Sequence, residues 1–126
     1  MIFGIGTDIV RVDRMQQDIE RFGNKFAERI LTAAEMLEFQ GNANKAHFLA
    51  RRFAAKEATA KAMGTGFSNG VHLRDIGVIH DPHGKPMLQF SGGAEQFVKD
   101  KCISVAHVSL ADEQDHAVAF VTLETV

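Results

Sequence analysis

With 126 residues, 45% hydrophobic and 24% charged, the chain has the size and composition of one ordinary globular domain spanning residues 1–126, enough for a real core but not for two. A formal net charge of -2 excludes a nucleic-acid binder that works by bulk electrostatics, and the single cysteine, Cys102, excludes an intrachain disulfide or a cysteine-built metal site. No apolar run approaches the ~20 residues of a membrane span, and the N-terminus reaches Asp8 too soon for a signal peptide, so a cytoplasmic protein without membrane association is expected.

Ile2 to Val10 reads as a buried strand, apolar on both faces. Gly4 and Gly6 lower its strand propensity and mark either a bend or a close backbone approach. Asp8 ends this apolar segment. A carboxylate so placed is paired, coordinates a metal, or caps the turn before the next helix. Val12 to Phe22 is helical by period, with Val12, Met15, Ile19 and Phe22 inward. The other face mixes Arg11, Arg14 and Arg21 with Asp13, Asp18 and Glu20, the usual pattern of a solvated face. Gly23 breaks the helix, Phe26, Ile30 and Leu31 continue in a shorter piece, and Thr32 with Glu35 forms a capping box for a helix through about Phe39.

After a polar loop from Gln40 to Asn44, Phe48 to Met63 reads as the best-formed helix, rich in alanine and long straight side chains. Gly64 is placed to stop it in the left-handed conformation. Leu49, Ala50, Phe53 and Ala54 form its inward stripe, and the same stripe runs on into Glu57 and Lys61. Between Lys45 and Lys61 stand five basic residues and the single acid Glu57, whereas Gly64 to the C-terminus carries four basic and eight acidic residues. That asymmetry suits an anionic small molecule or an acidic partner.

Asp75 to His80 and Lys85 to Phe90 read as a hairpin about the turn Asp81–Gly84. Gly92 to Lys101 is a short helix with Ala94, Phe97 and Val98 inward, and Ile103–Leu110 and Ala117–Glu124 are two further strands. One strand, several helices, a hairpin, a helix and a second hairpin define an α+β fold.

Neither nucleotide fingerprint is present: Gly4-x-Gly6 lacks the third glycine, and no phosphate-loop motif occurs. His80-x-x-His83 falls in a turn and reads as surface. Alternation sets His107 and Ser109 on one strand face near Asp112, but without the context of a hydrolase nucleophile. Asp8 with Glu57 is the stronger pair. Magnesium prefers oxygen ligands and is commonly held by one or two carboxylates plus substrate phosphates, which the neighbouring Lys and Arg would grip. Glu57 and Lys61 also suit a plain i,i+4 ion pair, and the spacing leaves both readings open.

Gly4-Ile5-Gly6-Thr7-Asp8-Ile9-Val10, followed by Arg52-Phe53-Ala54-Ala55-Lys56-Glu57-Ala58 and Lys61-Ala62-Met63-Gly64-Thr65-Gly66, resembles the holo-[acyl-carrier-protein] synthase family, the small stand-alone 4′-phosphopantetheinyl transferases. Gly84-Lys85-Pro86 and His107-Val108-Ser109-Leu110 extend the resemblance along the whole chain. It implies transfer of the 4′-phosphopantetheine arm of coenzyme A to a serine of apo-acyl carrier protein, with release of adenosine 3′,5′-bisphosphate, in support of fatty acid biosynthesis. It implies Mg²⁺ on Asp8 and Glu57, both catalytic together with Lys61, and coenzyme A contacts from Lys61, Arg52 and Gly64. It further implies a homotrimer with sites between subunits and an acidic carrier protein docked on Arg11, Arg14 and Arg21. Many members have Ser-His where this chain has Ala111-Asp112, so the role of that histidine does not transfer. The resemblance leaves the serine's proton to Glu57 or to a water on the metal. A metal-dependent phosphohydrolase and a non-catalytic adaptor are the alternatives from other classes.

Overall fold

The computed structural model describes residues 1–126. In chain order the elements are strand β1 (Ile2–Arg11), helices α1 (Val12–Phe22), α2 (Asn24–Ile30), α3 (Ala33–Gln40) and α4 (Lys45–Met63), and a 3₁₀ turn (Leu73–Asp75). Strands β2 (Ile76–His80) and β3 (Pro86–Phe90), helix α5 (Gly92–Asp100) and strands β4 (Ile103–Asp112) and β5 (His116–Thr125) complete the chain. The α+β reading holds. β1, β5 and β4 form an antiparallel sheet in that order, with Asp8 opposite Ala119 and Ala119 opposite Leu110, while β2 and β3 make a separate hairpin.

Local chemistry explains the element ends. Thr32 Oγ1 accepts from Glu35 N at 3.1 Å and Glu35 Oε1 accepts from Thr32 N at 2.9 Å, so the capping box at the start of α3 is complete in both directions. Gly64 takes φ +80° and donates its N–H to Ala60 O and Lys61 O, ending α4 as a left-handed cap. Gly23 turns the chain at φ +63° between α1 and α2.

Helix α4 crosses the inner face of the sheet, and its fit there depends on missing side chains. A Cβ on Gly4 would collide with the Ala62 carbonyl, and one on Gly6 with the Ala58 carbonyl. Both glycines therefore serve a close backbone approach, and at Gly4 the pairing with β5 also shifts register. They bring the helix down onto the strand, beside Asp8 on the same strand face.

Two expectations are corrected. α4 is not held by one stripe: Leu49, Ala50 and Ala54 are buried as expected, but so are Arg52, Ala55, Lys56, Thr59, Ala60 and Met63 on its other sides. The helix is the centre of the molecule, covered by the sheet on one side and by α3 and β2 on the other. β1 is buried on one face only. Its outward residues Ile5 and Ile9 are 60% and 64% exposed, and Phe120 beside them on β5 is 46% exposed. Together with Val105 and Val118 they make an apolar outer face on the three-stranded sheet.

Candidate active site

β1 delivers Asp8 to the inner face of the sheet because side chains alternate along a strand, placing it in line with Gly4, Gly6 and Val10. α4 delivers Glu57 and Lys61 one turn apart on the side that meets β1. Lys61 does not spend its charge on Glu57. Its Nζ donates to Asp8 Oδ1 at 3.0 Å and to Thr7 O at 3.0 Å, tying the helix to the strand. The ammonium is half exposed, whereas the Asp8 carboxylate is mostly covered.

Glu57 belongs to the same cluster. Partial burial raises its pKa above the ordinary carboxylate value, and the negative charge of Asp8 raises it further, against the pull of Lys61 and Arg14. The strand-end aspartate, the glutamate and the lysine of the sequence motifs are thus brought together, with Arg14 of α1 close enough to be felt by Glu57. No third His, Cys, Asp or Glu joins Asp8 and Glu57 as a metal ligand. Two oxygen donors with a cation alongside fit a hard divalent ion that completes its shell with water and substrate phosphates, and do not fit a closed structural metal site.

Other residues named from the sequence lie elsewhere. Arg52 is only 3% exposed, and its guanidinium lies 4.5 Å above the Phe48 ring and 3.1 Å from Glu38 Oε2. It faces α3, away from Asp8, Glu57 and Lys61, and is held by carboxylates where a coenzyme phosphate was expected. Arg51 pairs with Asp112 at 3.2 Å, which gives the aspartate at the departure from the family pattern a partner within the chain. Lys56 is fully buried on Glu35 at 2.7 Å. His107 and Ser109 do share the outer sheet face, but His107 Nε2 lies 2.8 Å from Glu124 Oε2, and no triad forms.

On α1, Arg11 pairs with Asp13 at 2.6 Å and Arg21 lies 5.1 Å from the centre of the Phe22 ring. Phe22, expected inward, is 51% exposed. A concave surface of about 610 Å³ between α1, the start of α4 and the β4–β5 turn is lined by Arg11, Asp13, His47 and His116 among others, and includes none of Asp8, Glu57 or Lys61.

The family model of the 4′-phosphopantetheinyl transferase superfamily matches residues 4–121. The holo-[acyl-carrier-protein] synthase of Halorhodospira halophila is 54% identical over 125 residues, covering 99% of both chains, and that of Nitrosococcus oceani is 50% identical over 98% of this chain and 80% of its own. Among solved structures, the synthase of Neisseria meningitidis superposes with a TM-score of 0.94 at 45% identity, covering 99% of this chain and 100% of that one. The Bacillus anthracis synthase, in complex with CoA (3′,5′-ADP), superposes with a TM-score of 0.84 at 38% identity over 100% of this chain and 99% of that one.

Proposed function

Because the chain belongs to the holo-[acyl-carrier-protein] synthase family of 4′-phosphopantetheinyl transferases, we propose that the cluster of Asp8, Glu57 and Lys61 is where it performs that transfer. The chain moves the 4′-phosphopantetheine arm of coenzyme A to a serine of apo-acyl carrier protein. The serine oxygen forms a bond to the phosphorus that bears the pantetheine. The bond from that phosphorus to the bridging oxygen breaks, and adenosine 3′,5′-bisphosphate leaves with the electron pair.

The observation that carries this reading is the juxtaposition of two carboxylates from distant segments with one lysine in contact with Asp8. Asp8 and Glu57 are the residues that would hold Mg²⁺, which when bound neutralises the pyrophosphate of coenzyme A. Lys61 holds Asp8 in place and presents the remaining N–H of its ammonium toward developing charge on the leaving bisphosphate. Glu57 or a water on the metal is the candidate to accept the serine proton. Gly64 lets the backbone leave α4 at φ +80° without a side chain, beside the expected path of the coenzyme.

The carrier protein docks on α1, where Arg14 stands next to the site and Arg21 and Arg11 extend the basic face. The apolar outer face of the sheet, with Ile5, Ile9 and Phe120 exposed, is the surface we assign to association of copies into a homotrimer. No helix is long and apolar enough to cross a membrane, and the reading places the enzyme in the cytoplasm, serving fatty acid biosynthesis.

The test is to incubate the protein with coenzyme A, Mg²⁺ and apo-carrier protein and to weigh the carrier. A gain of one phosphopantetheine is expected. Bisphosphate release without that gain would make the chain a hydrolase, and no product would make it an adaptor.

A further inference from the structure

The residue before Glu57 is the most completely buried cation of the chain. Lys56 is 0% exposed, and its ammonium meets three acceptors from three segments: Glu35 Oε1 of α3 at 2.7 Å, Leu73 O of the 3₁₀ turn at 3.2 Å, and Ile76 O of β2. Three donors find three acceptors, so the group is fully satisfied. Glu35 is equally committed. Besides Lys56, it accepts from Thr32 N at 2.9 Å and from Val78 N at 2.9 Å, and Arg52 Nε lies 3.5 Å from its second oxygen. Arg52 Nε makes no hydrogen bond, and Glu35 is the carboxylate it lies against.

The opposite side of α4 has a different character. Against β1 the helix rests on Gly4 and Gly6, two positions without side chains. That contact permits close approach, while the rest of this side of α4 is held by non-directional apolar packing on β5 and α1. Lys61 ties the helix to the strand through a half-exposed side chain, a weaker restraint than a fully buried pair. The buried side chains that bond α4 directionally to neighbouring elements are Lys56 and Arg52, on the far side from Asp8. Successive residues of a helix are about 100° apart, so fixing Lys56 fixes the direction in which Glu57 leaves the helix.

We infer that Lys56 and Glu35 are positioning residues for the active site: their buried ion pair sets the rotation of α4 and so places Glu57 against Asp8. The inference rests on the proposed role of Asp8 and Glu57 as the metal-binding pair. Neither Lys56 nor Glu35 touches substrate, and their effect passes through Glu57. Supporting groups of this kind cost about 10–100-fold in metal affinity or activity when removed.

The decisive variant is Lys56→Met/Glu35→Gln, which removes both charges of the pair and retains amide hydrogen bonding at position 35. Transfer is assayed over a range of Mg²⁺, coenzyme A and carrier protein, alongside thermal melting and a crystal structure of the variant. The expected result is a Mg²⁺ half-saturation raised by about tenfold or more, a lowered kcat, an unchanged KM for carrier protein, and Glu57 displaced relative to Asp8. A lowered melting temperature with unchanged Mg²⁺ dependence and unmoved Glu57 would reduce the pair to a purely structural one and overturn the inference. If the double variant does not fold, Glu35→Gln alone is read in the same way. Wild-type transfer without any divalent cation would instead sink the metal assignment, and the position of Glu57 in the variant structure then decides the inference by itself.

Discussion

Lys61 and Asp8 stand 53 positions apart in the chain and meet at 3.0 Å, whereas Lys61 was equally placed by sequence to pair with Glu57 one turn before it on the same helix. The strand aspartate wins the lysine, and Glu57 keeps a carboxyl that is harder to ionise than usual. This division sets opposite expectations for the two kinds of charge. Lys61→Met removes a cation beside the metal-binding pair, so Mg²⁺ half-saturation is unchanged or lower, while kcat falls by about a hundredfold because the leaving bisphosphate loses a donor. Asp8→Asn weakens both. Initial rates over a Mg²⁺ series for the two variants check this, and a rise in half-saturation with Lys61→Met would contradict it.

Glu57 gives a stability prediction with the opposite sign to its activity prediction. Its folded-state pKa is raised, so the native state binds its proton more tightly than the unfolded chain does. Its stabilising contribution is complete below the ordinary carboxylate pKa and is lost as pH rises through its own higher value. Glu57→Gln removes an ionised group that the fold disfavours near neutral pH. The metal-free variant should melt no lower than wild type at neutral pH, with any advantage shrinking in acid, while transfer falls by about a hundredfold or more. Melting curves at neutral and acidic pH in a chelator, beside the carrier mass assay, test both halves.

Much of this arrangement was legible in the chain because its signals are local. The capping box of Thr32 and Glu35, the stop at Gly64 and the helix from Val12 to Phe22 are each written within a few residues. Asp8 and Glu57 stood out as charges interrupting apolar patterns. Lys56 and Arg52 gave no such signal. Their partners Glu35, Glu38, Leu73 and Ile76 lie well away in the sequence, and a periodicity argument assumes that a helix has one buried side. α4 is buried nearly all round, so any cation on it had to be neutralised from within, and only the packing of α3 and β2 tells by what. The outward exposure of β1 was hidden for the converse reason: apolar residues on both faces look the same whether the second face meets this chain or another copy.

Gly6→Ala isolates the close approach of β1 and α4. The added methyl meets the Ala58 carbonyl, a backbone atom that cannot rotate away, so the helix or the strand must shift. Overpacking of this kind costs about 1–3 kcal/mol. Chemical denaturation is expected to show a loss in that range, with activity falling further than stability because Asp8 lies two residues on. A variant as stable as wild type would mean that the strand yields without cost.

Phe120→Glu tests the apolar outer face. The side chain points away from the core and is 46% exposed, so a charge there leaves the folded chain intact but opposes contact with another copy. Sedimentation is expected to give a trimer for wild type and a single chain for the variant, with transfer lost in parallel under the proposal that the sites lie between copies. A monomeric variant of full activity would separate the assembly from the chemistry.

The arginines of α1 are not equivalent, and their surroundings rank them. Arg11 is already bonded to Asp13 at 2.6 Å, and Arg21 lies against the Phe22 ring. Arg14 is the one whose charge reaches Glu57, which puts it beside the proposed site of transfer. An acidic partner steered to this face is bound mainly through long-range attraction, which weakens with salt. Arg14→Glu is therefore expected to raise the KM for carrier protein by about tenfold or more at low salt and to flatten its salt dependence, with the KM for coenzyme A little changed. Arg21→Glu should have a smaller effect and Arg11→Glu the smallest, because the charge of Arg11 is already spent on Asp13. Steady-state kinetics at low and high ionic strength give the order, and an unchanged carrier KM in Arg14→Glu would remove α1 from the docking surface.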